Sequence, residues 1–132
     1  MKAKNIVSIT LRVVAAIILL QTLYFKFTAQ PESVYIFSKV GIEPWGRIAT
    51  GIVELIASVL LLVPTTIAIG ALMGIGIMLG AIASHLFILG IEIQGDGNQL
   101  FIYAVIVLIA CVALLALHFQ QLIRYKQMVW KA

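Results

Sequence analysis

A chain of 132 residues, 63% hydrophobic and only 11% charged, has too little interior to hide that much apolar surface from water, so lipid must solvate much of it. The formal charge of +4 could suit nucleic acid, but Lys2, Lys4 and Arg12 lie in front, Arg124, Lys126 and Lys131 behind, and no basic stripe carries interleaved aromatics. The lone cysteine, Cys111, excludes an internal disulfide and any CxxC redox or metal site.

The expected fold is all-α: one domain, 1–132, built as an integral membrane four-helix bundle with a short interfacial helix between the first two spans. Apolar runs of about 20 residues are long enough to cross roughly 30 Å of hydrocarbon. The first predicted span covers 6–27. Lys2 and Lys4 ahead of it resemble the start of a signal peptide, but Phe27-Thr28-Ala29 offers a bulky residue where cleavage needs a small one, so the helix is expected to be retained. An interfacial helix is predicted over 31–40, with Pro31 at the first helical position, Glu32 in the first turn and Gly41 as the C-cap. It reads as a connector, with a lid over the bundle as the alternative.

The second span is predicted over 45–63 and the third over 66–89, separated at Pro64-Thr65-Thr66. Gln94-Gly95-Asp96-Gly97-Asn98 is the clearest turn, and the fourth span follows over 99–118. The ends hold six of the nine Lys and Arg, while the last connection holds only Glu92 and Asp96, both expected to be solvated. The positive-inside rule then puts both termini in the cytoplasm and the 31–40 helix outside. Arg12 is expected to snorkel to the cytoplasmic surface, and His118 to be satisfied by interfacial water.

Span two carries Arg47, Thr50, Gly51, Glu54 and Ser58 three or four residues apart, hence on one helix face. Glu54 lies nine residues past Trp45, about 13 Å below the outer boundary. An unpaired carboxylate there costs about 2.5–3.5 kcal/mol on insertion scales, so it must turn inward towards a partner. His85 on span three is the first candidate, with Lys26 closing span one and Arg47 near the same level. The functional reading is an outward-opening pocket with Glu54 at its floor and Lys26, Arg47 and His85 around it, a ligand- or proton-binding set. The bland reading is a polar network that sets helix register. No metal site is expected, and no catalytic residue is assigned. Gly70-xxx-Gly74 and Gly76-xxx-Gly80-xxx-Ser84 on span three predict close helix packing, within the bundle or across a homodimer.

Several of these residues carry a family resemblance. Phe25-Lys26, Val40-Gly41-Ile42, Pro44-Trp45-Gly46-Arg47-Ile48, Gly51-Ile52-Val53-Glu54-Leu55, Leu60-Leu61-Leu62 and the Gly80 to His85 stretch resemble the DoxX family of small four-helix membrane proteins, bacterial members above all, over roughly 11–117. Leu23 departs from the pattern, where many members have glycine, and the absence of a cysteine pair excludes a dithiol mechanism for this chain alone.

The resemblance implies a multi-pass protein of a bacterial-type inner membrane and a link to quinone-dependent respiratory chemistry. The expectation is an accessory subunit, not an enzyme by itself, with no intrinsic cofactor and a bound quinone. Since the sequence has no haem or iron–sulfur ligand set, electrons would come through a redox partner protein. The alternatives are a small-solute or lipid transporter built as a dimer, and a non-catalytic anchor or assembly partner.

Overall fold

A computed structural model describes residues 2–131. Four of its helices are long and apolar enough to span a membrane: α1 (Lys2–Phe27), α3 (Trp45–Leu62), α4 (Ile67–Ser84) with its π-helical extension His85–Leu89, and α5 (Gln99–Leu117). The short α2 (Pro31–Val40) joins α1 to α3, and α6 (Phe119–Lys131) follows α5. Among the described residues there is no strand. The four long helices form a ring in which α3 and α5 each pack against both α1 and α4. Successive crossings place the chain termini and the α3–α4 turn at one end. At the other, α2 faces the α4–α5 turn.

The bundle is apolar on its outside as well as in its core, unlike a water-soluble one. Phe87 is 83% exposed, and Ile17, Ile109 and Val112 also face outward, where only hydrocarbon is a suitable solvent. Because lipid tails are as apolar as leucine, the helices associate through close packing and hydrogen bonds. That packing is uneven along the bundle. Ala15 and Leu19 of α1, Leu61 of α3, Ala71 of α4 and Cys111 and Leu114 of α5 fill the terminal half without exposure above 1%. The half nearer α2 is open.

Gly70 and Gly74 build the tight half. A Cβ on Gly70 would lie 2.8 Å from the Leu61 nitrogen and 3.1 Å from the Ala57 carbonyl oxygen, so α3 and α4 touch through backbone there. A Cβ on Gly74 would lie 2.5 Å from Cys111 Sγ of α5. Gly76 and Gly80 do not pack within the bundle: a Cβ on either meets nothing within 4 Å.

Polar side chains tie the terminal end. Arg12, expected to reach headgroups, donates instead to the Leu61 and Leu62 carbonyls at 2.6 and 2.8 Å, satisfying the free C-terminal carbonyls of α3. His118, expected to be water-satisfied, lies 2.7 Å from Ser8 Oγ. The helix α6 has no counterpart in the sequence reading. Gln121 secures it by donating to the Pro64 carbonyl at 2.8 Å and accepting the Ala68 N–H at 2.9 Å. That N–H is one of the orphan donors at the start of α4, where Thr66 supplies no side-chain cap. Tyr125 adds a hydrogen bond to the Thr65 carbonyl.

At the opposite end, Asp96 is also more than a solvated charge. Its carboxylate accepts the Ile93, Asn98 and Leu100 N–H groups at 3.0, 2.9 and 3.3 Å, closing the turn and capping α5. The helix α2 begins at Pro31 and ends at Gly41, whose φ of +92° is the left-handed C-cap that glycine adopts freely. Its Ser33 and Phe37 are buried beneath it, so the connector also roofs the open half.

Candidate functional site

The open half encloses a cavity of about 710 Å³, within the usual range for ligand sites. The helix α2 contributes Ser33, Ile36 and Phe37 to it, and the four long helices supply the walls. Apolar side chains dominate the lining, and Lys26, Glu54 and His85 are among its few ionisable groups.

The carboxylate of Glu54 is where the helix face expected for it points, into the bundle, with 3% of the residue exposed. Its partner is Lys26, whose Nζ lies 3.0 Å from Oε2. Thr22, one turn before Lys26 on α1, holds its hydroxyl 3.2 Å from the same oxygen and 2.8 Å from the Leu19 carbonyl, so its single proton serves one acceptor at a time. Among the described residues no hydrogen bond reaches Oε1 of Glu54. Ser58, on the same stripe, turns back to the Glu54 carbonyl at 2.8 Å.

The ring of His85 takes a different partner. Its Nδ1 lies 3.0 Å from the Gly90 carbonyl. Since a carbonyl only accepts, Nδ1 carries the proton and Nε2 is the free acceptor of the neutral ring. The edge of the ring meets Phe101 at a centroid distance of 5.6 Å. His85 opens the π-helical stretch that ends at Gly90, with φ +84°. The wider turn brings the carbonyl of Gly90 back to Nδ1, and such bulges recur at functional sites.

Arg47 stands apart from the other three. It is buried, but it does not line the cavity. Its Nε donates to the Glu43 carboxylate at 2.9 and 3.1 Å, and Nη1 donates to the Lys26 carbonyl. Arg47 therefore fastens the end of α1 to the start of α3 and fixes the backbone from which Lys26 reaches Glu54. The structure brings Lys26 and Glu54 into contact and sets His85 in the same cavity wall. Arg47 is one shell behind.

Thr22, Glu32, Gln99 and Tyr103 also line the cavity, although the sequence did not single them out as site residues. Thr22 carried a usable signal, four residues before Lys26 and so on its face. Gln99 Nε2 donates to Tyr103 Oη at 2.8 Å on the α5 wall. Glu32 holds its proton above the usual carboxylate range, because burial and the negative charge of Asp96 both disfavour ionisation. Among the described residues no group of three or more His, Cys, Asp or Glu stands close enough to hold a metal ion. Chemically, the lining of the cavity holds an ammonium donor and two acceptors without partners among the described residues, Glu54 Oε1 and His85 Nε2, in an otherwise apolar chamber.

Four apolar spans packed as a bundle, with ionisable groups turned inward, define a small multi-pass membrane protein. The chain belongs to the DoxX-like family, whose model matches residues 10–114, a stretch that includes Lys26, Arg47, Glu54 and His85 and stops before α6. No curated protein and no solved structure matches it.

Proposed function

We propose that this protein is a quinone-linked accessory subunit of a bacterial-type plasma membrane, with both termini cytoplasmic and the α2 end facing outward. The observation that carries this reading is the Lys26–Glu54 pair in the wall of the 710 Å³ cavity, with Oε1 of Glu54 and Nε2 of His85 left without hydrogen-bond partners among the described residues. A quinone supplies two-electron, two-proton redox chemistry when bound. Its headgroup matches this donor set, because Lys26 can donate to a carbonyl oxygen while Glu54 and His85 can accept from ring hydroxyls. Glu54 and His85 would hold protons at those atoms, and Lys26 would stabilise charge beside them. The apolar walls would exclude water. A partner protein would carry the electrons.

Native mass spectrometry of the full chain released from membrane vesicles tests the proposal. The wild type is expected to carry one lipid quinone per chain. Glu54→Gln removes a charge-assisted hydrogen bond worth about 1.5–3 kcal/mol, so quinone occupancy should fall by about tenfold or more. Quinone-free wild-type protein, or equal loading of Glu54→Gln, would count against it.

A further inference from the structure

The α3–α4 hairpin is closed at one end and open at the other. On α3, Ala49, Val53, Ala57 and Leu60 fall at helical spacing along one side. Near the turn, the Ala57 carbonyl and the Leu60 Cβ close against Gly70. Six and ten residues further along α4, about 9 and 15 Å, Gly76 and Gly80 have no neighbour within 4 Å of where a Cβ would stand. Ala49, Val53, Gly76 and Gly80 line the cavity, and each is exposed. Small, exposed lining residues with no side chain packed across them mark a mouth. This mouth lies between two spanning helices, so it opens sideways into the hydrocarbon.

On the opposite side, between α1 and α5, Gln21, Phe25 and Gln99 also line the cavity and are exposed, but side chains bridge the two helices there: Tyr103 of α5 is hydrogen-bonded to Gln21 of α1 as well as to Gln99. That bridge closes the α1–α5 side, while glycine and alanine leave the α3–α4 side without one. A second, independent feature points to an occupant. His85 is 5% exposed, and its Nε2 has no partner among the described residues. No fully occluded side-chain nitrogen or oxygen among them lacks one, so this edge opens onto the cavity that His85 lines.

We infer that the cavity is loaded from the lipid through the slot between the α2-end halves of α3 and α4. Its occupant is a single-tailed lipid-phase amphiphile whose head donates a hydrogen bond to His85 Nε2 and whose tail leaves over Gly76 and Gly80. The inference rests on the reading of the cavity as a ligand site, and it holds for any headgroup with a hydroxyl or N–H donor.

The experiment places the photocrosslinker p-benzoylphenylalanine at Val53 in the slot and, as control, at Ile109 on the lipid-facing side of α5, 63% exposed. Both full-length variants are irradiated in native membrane vesicles and their adducts weighed. Position 53 is expected to yield one discrete adduct, about tenfold weaker with His85→Ala, whereas position 109 yields the bulk phospholipid mixture. Gly80→Leu, placed where a Cβ meets nothing, should plug the slot. It should lower co-purifying amphiphile about fivefold or more while leaving the thermal unfolding midpoint unchanged. The bulk phospholipid mixture at both positions, a crosslink from position 53 to a second copy of the chain, or full loading of Gly80→Leu would each overturn the slot. A discrete adduct that is not a quinone keeps the slot and removes the quinone reading. Co-purified quinone with only bulk adducts at position 53 does the reverse.

Discussion

Lys26 and Glu54 form an ion pair at 3.0 Å with their side chains 14% and 4% exposed. A pair so placed adds little net stability, because desolvation offsets the attraction, but removing one partner strands the other charge. Lys26→Met is therefore expected to destabilise the chain by about 3–5 kcal/mol, and Lys26→Met with Glu54→Leu to recover most of that loss. Thermal unfolding of the purified protein in one detergent checks the order. A double variant less stable than the single one would refute it. That Glu54 must turn inward was legible from its depth in an apolar run. Its partner was not, since Lys26, Arg47 and His85 were all within reach of the same level. One clue was available: Glu43 and Arg47 are four residues apart and satisfy each other, which removes Arg47 from the competition. The engagement of His85 with the carbonyl of Gly90 depends on a π-helical turn that no residue pattern announced.

At the scale of the element, α4 shows that one glycine spacing serves two purposes. Gly70 and Gly74 admit α3 and α5, whereas Gly76 and Gly80 border the cavity. Gly74→Ala puts a methyl 2.5 Å from Cys111 Sγ, an overpacking expected to cost about 1–3 kcal/mol, and Cys111→Ala should relieve much of it. Gly76→Ala meets nothing and should be neutral or stabilise α4 by up to about 1 kcal/mol, since alanine is the better helix former. Unfolding midpoints of the three variants separate a packing glycine from a cavity glycine. Small residues four apart identify a face that permits close approach, but they do not name what approaches. The helix α6 escaped the sequence reading for a related reason. Nothing local to Gln121 announces that it caps the start of α4, some fifty residues earlier in the chain.

The molecule as a whole is tightly packed through the core of its terminal half and hollow beneath α2, and a polar cluster around Ser8 and His118 joins α1 to the end of α5. In that cluster burial and the positive charges of Lys4 and Arg12 lower the pKa of His118 from its ordinary 6.5. Folded, the ring binds its proton less tightly than unfolded. The stability it contributes is therefore complete above 6.5 and is lost as pH falls through that value towards the folded one. Between about pH 8 and about pH 5.5, the unfolding midpoint of the wild type should drop further than that of His118→Asn, which cannot titrate. Parallel curves would show that the ring titrates alike in both states.

The four spans, the two turns between α3, α4 and α5, and the inward set of Glu54 could be read from the sequence alone. Hydrocarbon thickness and the need to satisfy each backbone group within its own helix are local constraints, written in consecutive residues. Which charge meets which, which glycines touch a neighbour and where the bundle gapes were settled only by tertiary structure. They depend on how far each helix is rotated and splayed, the outcome of many weak contacts between residues distant in the chain.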